Sequence, residues 1–264
     1  MGVYVCTRRI PLRFSRLNRV LVCGRFNSVA SGADFARSFN ATVIGNQLDT
    51  NFNVAPTTAV YALISQHGEE SDSLVLTTLY WGLVPTWAKD RTKAASMINA
   101  RSETLAEKPS FRNLITRQRC VIPMQGFYEW STTNTNTSRP TRPTKQAHYV
   151  SRSDGEVMTV AGLWSSWVDP IQKQTDPAIS AVFKSCTIIT TNANDSLRPI
   201  HHRMPVILER DAVDQWLDPA DISPLGLLVP AGNEVVRHEV TTRLQRPRNV
   251  KSAQLSDDKG GRLF

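Results

Sequence analysis

Two kinds of feature are scarce in this sequence, and each scarcity removes a class of protein. No run approaches the ~20 consecutive apolar residues that span a bilayer as a helix, so no transmembrane helix is expected and no membrane partner. The chain has only four cysteines, Cys6, Cys23, Cys120 and Cys186, with no C-x-x-C pair and no Cys/His cluster of zinc-ligand spacing. That argues against a disulfide scaffold and a structural zinc, so no metal and no cofactor are expected. Acidic residues are absent from the first 22 positions, which carry Arg8, Arg9, Arg13, Arg16 and Arg19. Removing those five charges from the formal +8 leaves +3 for the remaining chain, a mild excess that tolerates a polyanionic partner without demanding one.

What is present is enough to fold. Hydrophobic residues make up 41% of the 264 positions and charged residues only 20%, the balance of a globular domain with a buried core. Residues 1–22 lack the long apolar segment of a secretory signal and read as an appendage: a transit sequence, a propeptide, or an upstream extension in which Val22 corresponds to a GTG initiator. They are expected to be absent from the active protein. Residues 23–247 read as one domain, and residues 248–264 as a polar, frayed tail.

Along that domain, Phe35, Ala36 and Phe39 share one face of a short helix. Residues 51–57 read as a loop. Thr58–Ile64 and Leu74–Trp81 read as a hairpin with His67 and Gly68 in its turn. Residues 82–90 form a Pro- and Trp-bearing loop, and 102–116 look mostly helical. Cys120–Pro123, Gly126–Trp130, His148–Ser151, Val157–Trp164, Ser185–Thr191 and Val206–Leu208 read as strands. Between them lie low-complexity residues 131–147, a long exposed hairpin loop, and a polar loop at 169–179. Asp211 is placed to N-cap a helix ending near Leu217. Trp81, Cys120 and Cys186 sit in apolar strand runs and read as core. The expected fold is an α+β single domain with a curved, mainly antiparallel, barrel-like β-sheet and short flanking helices.

Six segments concentrate polar, aromatic, Gly and Pro residues beyond what a core requires. They are Cys23-Gly24-Arg25-Phe26, Asn53-Val54-Ala55-Pro56-Thr57, Trp81-Gly82-Leu83-Val84-Pro85, Asn99-Ala100-Arg101-Ser102-Glu103-Thr104, Gly126-Phe127-Tyr128-Glu129-Trp130 and Ile200-His201-His202-Arg203-Met204-Pro205. In this order they resemble the SRAP family, the SOS-response-associated peptidases whose members crosslink to abasic sites in single-stranded DNA. The resemblance runs from Cys23 to about Leu217. It implies an α+β barrel-like domain and a bacterial, cytoplasmic, nucleoid-associated protein of the DNA-damage response that acts as a monomer.

The chemistry at Cys23 follows from elementary reactivity. An internal cysteine offers only a thiol, whereas an N-terminal one adds a free α-amine of pKa about 8, far more of it free base at neutral pH than the ~10.4 of lysine allows. That amine attacks an aldehyde, and the adjacent thiol closes the resulting Schiff base into a thiazolidine. An opened abasic deoxyribose presents such an aldehyde. The family's cysteine directly follows the initiator Met, so residues 1–22 must be removed for this reaction, and some members remove a short leader themselves.

The resemblance also implies roles for three partners of Cys23. His201, rather than His202, aligns with the family histidine that protonates the sugar ring oxygen; Glu129 handles the proton on the amine; Asn99 orients the sugar or aldehyde oxygen. Arg25 and Arg101 suit phosphate binding, and Pro56 and Trp87 suit stacking on or wedging between bases beside the lesion. Two other readings use the same residues: a cysteine peptidase acting in trans with Cys23 and His201, and a noncovalent single-stranded DNA binder.

Overall fold

A computed structural model describes residues 22–67, 72–133, 144–171, 182–221 and 224–241. The leader before Val22, Gly68, the centre of the 131–147 loop, most of the 169–179 loop and the tail beyond 241 lie outside the described residues.

The chain opens with β1 (Arg25–Ser28) and α1 (Gly32–Phe39). Helix α1 forms because Ser31 Oγ accepts from Asp34 N at 3.2 Å at its start, while Asn40 in the left-handed region (φ 51) ends it. Its buried face is Phe35, Ala36 and Phe39, as the spacing predicts. β2 (Thr42–Val43), β3 (Asn51–Val54), β4 (Ala59–His67) and β5 (Asp72–Trp81) follow, then β6 (Asn99–Arg101), β7 (Arg119–Met124), β8 (Gly126–Thr133), β9 (Thr144–Arg152), β10 (Met158–Val168) and β11 (Val182–Asn192). β12 (Arg203–Pro205), α2 (Arg210–Leu217) and β13 (Val236–Val240) complete the order.

Two sheets result. The larger runs β12-β11-β10-β7-β4-β5-β2, and a parallel pairing of β11 with β5 (Ser185 opposite Tyr80, Cys186 opposite Trp81) closes β5, β4, β7, β10 and β11 into a five-stranded ring. Its other ring pairings are antiparallel, while β2 and β6 attach in parallel to β5 and β11. The smaller sheet runs β13-β9-β8-β1-β3. The barrel-like, mainly antiparallel α+β domain expected from the sequence is the fold observed.

Period-two alternation divides the ring residues between two cores. Val60, Ala62, Ile64, Trp81, Cys120, Ile122, Val160 and Cys186 face one way and pack with Phe26, Phe127 and Val150 of the smaller sheet; Val22 and Cys23 lie in this core. Tyr61, Leu63, Val121, Ala161 and Leu163 face the other way, under Phe35 of α1 and Trp216 of α2. Trp81 is fully buried and its Nε1 donates to Ile98 O at 3.0 Å, while Cys120 and Cys186 are buried with thiols raised by desolvation, so all three are packing residues.

Six expectations need correction. Asn51–Val54 is a strand, because β1 pairs with it (Phe26 opposite Val54). Residues 102–116 form one 3-10 turn at Ser102–Thr104 and then successive turns, since Pro109 lacks the N–H that a continuous helix needs and restricts Lys108. The strand placed at Val206–Leu208 lies at Arg203–Pro205, with Ile207 making a single bridge to Val160. The N-cap position of α2 is Glu209, whose side chain makes no capping hydrogen bond, and Asp211 sits within the first turn. His67 continues β4, and the hairpin strands β8 and β9 reach into the low-complexity stretch as far as Thr133 and Thr144.

Candidate active site

The centre is built around one peptide bond, Val22–Cys23. Strand β8 carries Glu129, and its Oε2 accepts the Cys23 backbone N–H at 3.0 Å while Oε1 accepts from Trp130 N at 3.2 Å. Strand β6 carries Asn99, whose Nδ2 donates to the Val22 carbonyl oxygen. The bond is therefore gripped on both sides: its carbonyl by an amide donor and its nitrogen by a carboxylate. Cys23 itself is 0% exposed and held at φ 48, a left-handed conformation that costs a residue with a Cβ on the order of 1–3 kcal/mol.

Burial decides the protonation of this centre. Glu129 is 5% exposed, and desolvation pushes its carboxyl up to about 7, against the lowering pull of the two backbone donors and of Lys145. Near neutral pH it is thus both an available acid and an available base. The Cys23 thiol is raised well above its ordinary value, by desolvation first and the Glu129 charge second. An internal Cys23 is a thiol, not a thiolate.

Backbone close to Glu129 is tightly fitted. Gly126 opens β8, and a Cβ there would lie 2.3 Å from Val150 O and 2.7 Å from the Tyr149 ring, so only glycine lets β9 approach.

His201 is 8% exposed, and Ile200 beside it packs in the core that holds Val22 and Cys23. Its Nδ1 accepts from Arg203 N at 3.0 Å, which in the neutral ring leaves the proton on Nε2. That Nε2 is buried without a hydrogen-bond partner among the described residues, as is Asn99 Oδ1. Desolvation, with the stacked His202 ring at 4.4 Å, lowers the His201 pKa and keeps the ring neutral. No hydrogen bond among the described residues joins His201 to Cys23, Asn99 or Glu129.

The remaining sequence candidates frame this centre. Arg25, on β1, donates to Asn53 Oδ1 at 3.2 Å. Arg101 is exposed on the same short strand as Asn99. Half-buried Pro56 precedes Thr57, which is left-handed (φ 67) and donates its N–H to Trp81 O at 2.8 Å. Trp87 is 65% exposed on a loop pinned from four sides: Gly82 N to Cys186 O, Leu83 N to Met97 O, Val84 N to Ser185 Oγ, and Trp167 Nε1 to Ala88 O. Gly82, at φ +140 with a virtual Cβ 2.8 Å from Ala94 O, permits the loop's sharp departure from β5.

Three residues of the site escaped sequence reasoning. Arg203 is buried and grips Glu103 with both ends of its guanidinium (Nη2 to Oε2 2.9 Å) while reaching Asn192 Oδ1 and Thr190 O, and this pairing holds the Glu103 carboxyl low. Both lie inside quoted motifs, and only their pairing was invisible. Buried Asn53 similarly lay within a quoted segment without a role. No group of three or more His, Cys, Asp or Glu that could hold a metal ion occurs among the described residues, and none of the described helices is long and apolar enough to cross a membrane.

Fold and site together define a small α+β domain with a five-stranded β-ring in which Asn99 and Glu129 hold the buried Val22–Cys23 peptide bond at its carbonyl and its nitrogen. The chain belongs to the SOS response associated peptidase (SRAP) family, whose pattern matches residues 22–247. It is 34% identical over 242 residues to the abasic site processing protein YoaM of Bacillus subtilis, covering 89% of this chain and 98% of that one. It is 32% identical over 221 residues to the chicken (Gallus gallus) abasic site processing protein HMCES, covering 75% of this chain and 63% of that longer protein. A solved protein from Bacteroides thetaiotaomicron shares the fold at a TM-score of 0.69 and 26% identity, over 84% of this chain and 93% of that one.

Proposed function

We propose that this protein processes abasic sites in DNA, by exposing Cys23 as its N-terminus and joining it to the lesion as a thiazolidine in single-stranded DNA. The observation that carries the reading is the Val22–Cys23 peptide bond, held by Asn99 at its carbonyl and by Glu129 at its nitrogen. The names of the relatives point to the same substrate.

In the first stage the Cys23 Sγ attacks the Val22 carbonyl carbon through a five-membered ring. Asn99 Nδ2 stabilises the developing oxyanion, and protonated Glu129 gives its proton to the departing Cys23 nitrogen. The thiol proton leaves to solvent. Water then hydrolyses the Val22 thioester, releasing residues 1–22 as a carboxylic acid and restoring the thiol. Cleavage also relieves backbone strain, since an N-terminal residue has no φ to hold at 48°.

In the second stage the Cys23 α-amine, deprotonated by ionised Glu129, attacks the C1 aldehyde. Loss of one water gives the imine, and addition of Sγ–H across the C=N bond gives the ring, with the thiol proton ending on nitrogen. The minor protonated form of His201 gives its Nε2 proton to the sugar ring oxygen as the hemiacetal opens and takes back the proton that the C1 hydroxyl loses, so the imidazole ends as it began. Asn99, freed from Val22, orients the sugar or aldehyde oxygen. Arg25 and Arg101 bind flanking phosphates, and Pro56 and exposed Trp87 stack on bases, favouring single strands over duplex. The protein acts as a monomer in the bacterial cytoplasm, nucleoid-associated when on DNA.

Intact mass tests the reading, on protein expressed with residues 1–22, alone and after mixing with a single-stranded oligonucleotide bearing one abasic site. The expected masses are a chain beginning at Cys23 and an adduct equal to protein plus oligonucleotide less one water, both lost in Cys23→Ser. An intact leader and no adduct refutes the covalent reading and favours a noncovalent binder.

A further inference from the structure

Glu129 must take protons and give them back, yet it lies in an apolar core with Phe127 and Val150 beside it. Its cross-strand neighbour is not apolar. In the β8–β9 ladder the residue directly opposite Glu129 is His148, and directly opposed residues project to one face with Cβ atoms about 4.5–5.5 Å apart. His148 is 9% exposed, and its Nδ1 is buried with no hydrogen-bond partner among the described residues. The other ring nitrogen, Nε2, lies 2.8 Å from Ser131 Oγ, one pleat further along the same face of β8. Beyond it, on β13, the ring of His238 meets His148 edge-to-face at 5.6 Å, and His238 is exposed.

A row of groups able to carry protons thus runs across three adjacent strands from a buried carboxyl to the surface, Glu129 to His148 to His238. An unpaired buried imidazole nitrogen costs stability of the order of a lost hydrogen bond, so a purely structural role would favour an apolar side chain in this core. We propose that His148, backed by His238, is the proton relay between Glu129 and solvent, a positioning residue that resets Glu129 between steps; this rests on the crosslinking reading above.

The proton that Glu129 takes from the Cys23 α-ammonium passes to His148 Nδ1. In the tautomer whose Nε2–H donates to Ser131 Oγ, that proton leaves through Ser131 Oγ or His238 to water, and the ring ends neutral with its proton on Nδ1. In the reverse direction the same path protonates Glu129 for the cleavage stage. Burial and the neighbouring His238 charge lower the His148 pKa, which keeps the resting ring neutral and able to accept. The other charged or titratable groups near it are Lys145, Tyr149, Arg237 and Glu239; their alternating register sets them on the opposite face of the sheet.

The test compares wild type, His148→Gln and His238→Gln, the second variant altering only an exposed side chain. Without DNA, infrared difference spectra follow the protonated Glu129 carboxyl against pH; with abasic single-stranded oligonucleotide, adduct rates are taken at low and high imidazole. A relay predicts that His148→Gln moves the Glu129 ionisation by about half a pH unit or more. It also predicts an adduct rate lowered about tenfold at low buffer, with imidazole restoring much of it. His238→Gln should give the same buffer dependence with a smaller loss, and carries the kinetic test if His148→Gln does not fold. Wild type that forms adduct while both variants keep its ionisation and rates overturns the relay alone. Wild type that forms no adduct refutes the crosslinking reading and the relay's function with it.

Discussion

Replacing Glu129 with glutamine removes the one charge whose burial the fold must bear at the candidate centre, and the consequence is legible in stability without any DNA. The carboxyl lies at about 7 in the folded chain against an ordinary 4.5, raised chiefly by desolvation. Between those values the folded state holds a proton that the unfolded state has lost. Stability is therefore full below about pH 4.5 and is lost as pH rises through 7. Integrated over that window the loss is about 3 kcal/mol. Glutamine has one carbonyl oxygen in place of two carboxyl oxygens, so it accepts from Cys23 N or Trp130 N but not both, a loss of about 1 kcal/mol. The two stability curves should therefore cross. Glu129→Gln is less stable than wild type by about 1 kcal/mol near pH 4.5, and more stable by about 2 kcal/mol at pH 8. The assay is urea unfolding across pH 4.5–8.5, on protein whose mass shows the Val22–Cys23 bond intact. In cleaved protein the α-ammonium of Cys23 lowers the carboxyl and narrows the window. A difference between variant and wild type that stays flat across this range refutes the assignment of a buried, proton-holding Glu129.

Three further outcomes are expected. Trp87→Ala leaves the thermal melting point within error, because the side chain is 65% exposed, but weakens single-stranded DNA binding in fluorescence anisotropy by about 1–3 kcal/mol; unchanged affinity removes Trp87 from the DNA surface. Gly126→Ala forces a Cβ to 2.3 Å from Val150 O and should lower stability by more than about 3 kcal/mol by denaturant titration, and a variant of near-native stability refutes the close strand approach. Asn99→Ala removes the donor on the Val22 carbonyl and should slow release of residues 1–22, followed by mass, by about 10²–10³-fold, whereas wild-type release removes Asn99 from the cleavage step.

Local pattern alone carried several elements. Phe35, Ala36 and Phe39 announce α1 because a helix face repeats every 3.6 residues, and the β-branched runs of β4 and β5 announce a hairpin because their alternation needs no distant partner. Cys23 stood out by the reactivity that an N-terminal cysteine has, and Asn99 and Glu129 by the resemblance of their segments, in order along the chain, to the SRAP family. By contrast β3 and β13 exist only because β1 and β9 offer them a ladder, and the turns of 102–116 imitate a helix in composition until Pro109 breaks the hydrogen-bond chain.

The sequence by itself determined which chemical groups this protein owns and in what order, since reactivity and short-range periodicity are properties of residues and their near neighbours. Only the tertiary structure decided that Glu129, 106 positions from Cys23, accepts its N–H; that Asn99 reaches the Val22 carbonyl; and that His148 stands opposite Glu129. The proton affinity of Glu129 is likewise a property of the assembled core, because desolvation depends on which distant side chains exclude water from it.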